Sequence, residues 1–90
     1  MLVALIARDN DGALRTRLDN RAAHLAYIEE TGVVTQAGPL LDDAGGMIGS
    51  LVILDVNDLA AAQDWAANDP YAKAGLFQDV ELIPWKKVVG

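Results

Sequence analysis

One histidine occurs in the chain, His24, in the run RAAHLAY, three residues after Arg21. Residues three apart are neighbours on a helix surface. A histidine can move protons near neutral pH, and an arginine beside it can hold an anionic or enolate oxygen. A second stretch, WAANDPYAKAGLF at 65–77, places a carboxylate, Asp69, directly before Pro70. Helix grammar accounts for that pair: aspartate is a good N-cap, proline suits the first helical position, and Gly75 ends the turn. Yet the same carboxylate falls at the C-terminal end of the preceding helix, where negative charge is disfavoured by about 0.3–1 kcal/mol. A cationic partner on an adjacent helix, Arg21 or His24, would offset that cost. Ser50 follows a glycine-rich loop at the start of an apolar run. Ser50, His24 and Asp69 supply the residue types of a nucleophilic triad, although no nucleophile-elbow motif surrounds the serine.

Other chemistries are excluded by composition. The chain has no cysteine, so disulfides, thiol nucleophiles and cysteine-based metal or redox centres are absent. One histidine without cysteine argues against a zinc or iron site. GPLLDDAGG lacks the Gly-Lys-Ser/Thr ending of a phosphate loop, and DDAGG lacks the glutamate of a calcium loop. No cofactor is expected. The formal net charge of −6, with no basic patch, opposes phosphate binding and speaks against a nucleic-acid partner. The opening run MLVALIA is too short to span a membrane and lacks the basic start of a signal peptide. A cytoplasmic location is expected.

The elements that must carry these residues follow from periodicity. Residues 1–7 form a continuous apolar run, as in a strand buried on both faces. From 13 to 31 the pattern is helical, with Leu14, Leu18, Arg21, Leu25 and Ile28 at spacings of four and three, and Gly32 as a stop. This stripe places Arg21 on the buried face and His24 at its border. A buried guanidinium requires a carboxylate or carbonyl partner. A second strand at 33–40 closes at Gly38-Pro39, a flexible loop covers 41–46, and a strongly apolar strand spans 47–56. Asn57 or Asp58 caps a helix bearing Leu59, Ala62, Trp65 and Ala66 on one side. A last strand runs over 79–89. The order is β-α-β-β-α-β, the ferredoxin-like arrangement. It puts the two most apolar strands at the centre of the sheet, and the strand containing Pro84 at an edge, where proline is tolerated. Ninety residues make one domain with a thin core. With 52% hydrophobic residues and helices on only one face of an antiparallel four-stranded sheet, a second copy of the chain is the expected cover for the other face.

Several of these segments together resemble the YciI-like family, the YCII-related domain: RAAHL at 21–25, AGPL at 37–40, GSLVI at 49–53, AQDWA at 62–66, DPYAKAGLF at 69–77 and PWK at 84–86. The motifs match in order and spacing nearly end to end. The resemblance implies a ferredoxin-like α+β fold assembled as a homodimer with its sheets face to face. It also implies a cleft in which His24 and Asp69 form a catalytic dyad with Ser50 nearby, and in which Arg21 binds substrate. The family is linked to lyase-type chemistry on chlorinated hydroxylated aromatics.

Three functional readings are carried forward. In the first, the protein is a cofactor-independent small-molecule enzyme of lyase, isomerase or hydrolase type, with Asp69 orienting His24 for acid–base chemistry. In the second, it is a dimeric module that binds a small ligand or a protein without turnover. In the third, Arg21, His24 and Asp69 form a network for stability alone.

Overall fold

The computed structural model describes all 90 residues. The elements are β1 (Leu2–Asp9), α1 (Leu14–Thr31), β2 (Val34–Leu41), β3 (Met47–Asp55), α2 (Leu59–Asn68), α3 (Pro70–Lys73) and β4 (Phe77–Trp85). The strands form one antiparallel sheet in the order β2-β3-β1-β4, and the helices lie on one face. This is the ferredoxin-like βαββαβ arrangement, with the short α3 added before the last strand. As expected, β1 and β3 are central, and β4, with Pro84, is an edge. No helix is long and apolar enough to cross a membrane.

Alternation along the central strands fixes the core. Val3, Leu5 and Ala7 of β1, and Val52 and Leu54 of β3, point to the helices and are buried with Ala62 and Trp65 of α2. The same period-two rows continue into polar residues, Asp9 on β1 and Ser50 on β3, both buried. At Gly49 the central strands approach so closely that a Cβ would collide with the Ala7 backbone oxygen. Trp65 donates from its indole N–H to Thr31 Oγ1 at 2.9 Å, and Tyr27 donates to the Trp65 carbonyl at 2.8 Å. These bonds tie α1 to α2. Gly32 ends α1 in the left-handed conformation (φ 65°) and donates to the Ile28 carbonyl, as its position predicts.

The orientation of α1 departs from the sequence reading. Leu14, Leu18 and Leu25 are about half exposed, and Arg21 is exposed. The residues turned inward are Arg17 and His24, with Tyr27, Ile28 and Thr31 partly buried. At 3.6 residues per turn, the helix is rolled roughly a quarter turn from the leucine stripe. The buried face was chosen by polar partners rather than by apolar count, since Arg17 and His24 both find carboxylates beneath α1.

Smaller differences concern β2, the loop that follows it, β4 and β1. Strand β2 does not stop at Gly38-Pro39 but runs to Leu41, because on an edge strand Pro39 can pair with Ser50 without donating outward. The 42–46 loop is held rather than loose: Asp42 accepts from the backbone N–H groups of Ala44 (3.0 Å) and Gly46 (2.8 Å). Strand β4 begins earlier, at Phe77, and ends at Trp85. The expectation that β1 is buried on both faces holds within one chain at Ala4, which is buried on the helix-free face, but not at Ile6. Ile6, Leu51, Ile83 and Trp85 alternate with the core residues on the helix-free face and are 37–44% exposed.

Candidate active site

The junction between α2 and β4 shows why Asp69 precedes Pro70. Asp69 has extended backbone angles (φ −61°, ψ 127°), which the following proline favours, and so α2 stops at Asn68. Its carboxylate Oδ1 accepts the Tyr71 N–H at 3.0 Å and caps α3, with Pro70 at the first helical position. The cap holds the side chain rigidly at 1% exposure. The same Oδ1 meets His24 Nδ1 at 2.7 Å. An ionised carboxylate only accepts, so Nδ1 is the donor in this contact, and in the neutral form of the ring Nε2 keeps its lone pair. Punctuation and site are one arrangement.

Tyr71, set by the same cap, lies flat on the imidazole, with ring centroids 3.9 Å apart and planes 16° from parallel. On α1, one heptad before His24, Arg17 sits 4.8 Å from the Tyr71 ring centroid. Its guanidinium grips Asp9 in bidentate fashion, Nε to Oδ2 at 2.8 Å and Nη2 to Oδ1 at 2.9 Å, and Nη2 also donates to the Ser50 hydroxyl at 2.9 Å. Burial works against the Arg17 charge, but the hydrogen bond and attraction to Asp9 outweigh it and raise its pKa above the ordinary value. Arg17 is therefore the buried arginine whose carboxylate partner the sequence demanded. The demand was sound, but it was assigned to Arg21, one turn too late.

Arg21 is exposed and enters no ion pair. It borders a cavity of about 180 Å³ between α1 and strands β2 and β3. Arg17, His24, Ser50 and Tyr71 reach that cavity, and Leu25, Ile28, Pro39, Met47 and Val52 supply apolar wall. Every buried side-chain nitrogen and oxygen in the chain has a hydrogen-bond partner. His24 Nε2 bonds to no protein group, and the Tyr71 hydroxyl has Arg17, a donor, as its polar neighbour; both residues line the cavity. A slightly larger hollow of about 210 Å³ beside residues 8–14 contains none of the dyad.

The four residues singled out in the sequence thus separate into three groups. His24 and Asp69 are in direct contact. Ser50 lines the same cavity but bonds to Arg17 and makes no hydrogen bond to His24, so the three do not form a connected triad. Arg21 stands at the rim. Sequence reasoning passed over Arg17, Asp9 and Tyr71. The signals were present: Arg17 and His24 are seven apart and share a helix face, and Asp9 continues the inward row of Val3, Leu5 and Ala7. No cluster of three or more His, Cys, Asp or Glu side chains suited to a metal ion occurs.

Comparison with known proteins gives a consistent picture. The family model described as the YCII-related domain matches residues 1–86. Protein YciI of Escherichia coli O6:H1 is 40% identical over 97 aligned positions, covering 98% of this chain and 99% of that protein. An uncharacterised protein of Haemophilus influenzae is 39% identical with the same coverage. Among solved structures, 5-chloro-2-hydroxyhydroquinone dehydrochlorinase from Burkholderia phenoliruptrix AC1100, in complex with 2,5-dihydroxybenzoquinone, superposes with a TM-score of 0.89. It is 36% identical, covering 96% of this chain and 94% of that one. A protein from Agrobacterium tumefaciens, 14% identical, shares the fold with a TM-score of 0.56.

Proposed function

We propose, for a chain that belongs to the YciI-like family of YCII-related domains, a cofactor-independent enzyme in which His24 and Asp69 carry out acid–base chemistry on a small oxygenated molecule. The observation that carries the reading is the 2.7 Å contact between His24 Nδ1 and Asp69 Oδ1, with Nε2 left facing a cavity. Asp69 fixes the tautomer and the ring plane, and Nε2 takes a proton from a hydroxyl, or from carbon beside a carbonyl. The charge that develops on the substrate oxygen is met by Arg21, whose own charge no carboxylate neutralises, unlike that of Arg17. The apolar walls and the small volume suit a single ring better than a chain. Among elimination, isomerisation and hydrolysis, the likeness to the dehydrochlorinase favours elimination from a hydroxylated ring. Ser50 serves in this reading as an acceptor that steadies Arg17.

The test is a screen of hydroxylated aromatics and quinones, with 2,5-dihydroxybenzoquinone as a binding probe, using wild type and His24→Gln. Turnover should fall about 10²–10⁴-fold in the variant, the range for loss of a positioned acid or base. Turnover that survives His24→Gln would refute the role of the dyad. Saturable binding without turnover of any compound would favour the binding-module reading.

The chain is further proposed to act in the cytoplasm as a homodimer joined through the helix-free sheet face. Ile6, Leu51, Ile83 and Trp85 give that face an apolar surface that burial would stabilise. Light scattering should give twice the chain mass for wild type and the single-chain mass for Leu51→Lys. A monomeric wild type at micromolar concentration would refute the dimer.

A further inference from the structure

The hydroxyl of Tyr71 has no place in the chemistry above. The ring is 2% exposed and fixed on three sides. His24 stacks on one face, Arg17 stands 4.8 Å from its centroid, and Phe77 meets its edge at 6.0 Å between centroids. The backbone N–H of the same residue is pinned by Asp69. A ring held this firmly for packing alone could be phenylalanine. A buried tyrosine hydroxyl normally finds a protein partner, as Tyr27 does on the Trp65 carbonyl. The Tyr71 hydroxyl has only Arg17 as a polar neighbour, and a guanidinium can donate to it but cannot accept, so the phenol's own proton has no protein acceptor beside the cavity that the residue lines.

We infer that Tyr71 is a substrate-binding residue whose hydroxyl donates a hydrogen bond to an anionic oxygen of the ligand beside the His24 base, an inference that rests on the proposed acid–base reading of this cavity. The donor is ready without rearrangement, because its ring cannot turn away from the imidazole on which it lies. Arg21 lines the same cavity without a carboxylate partner, so the oxygen that Tyr71 meets has an unneutralised positive charge near it. Burial raises the phenol's pKa and the two arginines act against that rise, with a net upward shift. The hydroxyl therefore keeps its proton at neutral pH and is a donor there. The arrangement selects ligands that carry two oxygens on one small ring, one giving its proton to His24 and one accepting from Tyr71.

Tyr71→Phe tests this cleanly, since it keeps the stacked ring and removes only the hydroxyl. The probe is 4-nitrocatechol, whose absorbance reports binding and ionisation together. The catecholate should bind Tyr71→Phe about 10–100-fold more weakly than wild type, the range for losing a hydrogen bond to a charged acceptor. The nitrogen resonances of the single histidine and the melting temperature should stay as in wild type. Equal affinity in wild type and Tyr71→Phe would overturn the inference while leaving the His24–Asp69 reading intact. No binding to wild type would overturn both. Weakened binding accompanied by shifted histidine resonances would overturn it in favour of a positioning role for the ring.

Discussion

Replacing Asp9 by alanine should unfold this protein more than any change at its surface charges. In the native fold the Asp9 carboxylate takes two bonds from Arg17, at 2.8 and 2.9 Å, and both side chains are about 95% buried, with 5% and 4% exposure. The substitution strands the guanidinium with only neutral oxygens, such as the Ser50 hydroxyl, as acceptors. Removing one partner of a buried pair costs about 3–5 kcal/mol, because the remaining charge stays desolvated. Total stability for a domain of this size is on the order of 5–13 kcal/mol. At about 4–8 °C per kcal/mol, the melting temperature should drop by roughly 12–40 °C. Urea denaturation followed by circular dichroism measures the loss directly. The double variant Asp9→Leu with Arg17→Met removes both charges and should recover at least half of it, since replacing a buried pair by apolar groups is often near neutral. If Asp9→Ala costs less than about 1 kcal/mol, the pair behaves like an exposed one and the reasoning is wrong.

Two further outcomes follow from the same geometry. Asp69→Asn keeps a good N-cap for α3 but no longer holds the Nδ1–H tautomer. It should leave stability within about 1 kcal/mol while turnover falls by up to about 10⁴-fold, and equal losses in both would mean that Asp69 is only a cap. Both tyrosines titrate above their ordinary value: burial raises Tyr27, with Asp69 and Asp64 adding to it, and burial raises Tyr71 against the pull of Arg17 and Arg21. A raised folded pKa gives stability that is complete below the unfolded value near pH ~10 and is lost as pH climbs through the folded values. Tyrosinate absorbance of the folded protein should therefore appear only above pH ~10, with unfolding following it, and a tyrosine titrating at or below that pH would contradict this.

The fold was legible because the continuous apolar runs that became β1 and β3, the Gly32 stop and the edge proline Pro84 each act locally and agree. The Asp69-Pro70 junction was legible for the same reason, since capping involves only neighbours in sequence. The face of α1 was not. Leu14, Leu18 and Leu25 make the better stripe by apolar count, but Arg17 and His24 bury themselves against Asp9 and Asp69, contacts 8 and 45 residues away. Ranking leucines cannot see a partner on another element, and so the buried arginine was placed one turn late. Tyr71 was hidden in a motif that capping already explained.

Because His24 is the only histidine, its ring can be observed alone in the ¹⁵N spectrum of the protein, with no substrate required. The account predicts that the neutral imidazole carries its proton on Nδ1, toward Asp69, with Nε2 unprotonated, and that Asp69→Ala abolishes this preference. A neutral ring protonated on Nε2 in the wild type would contradict it, because the atom facing the cavity would then be a donor and could not act as the base.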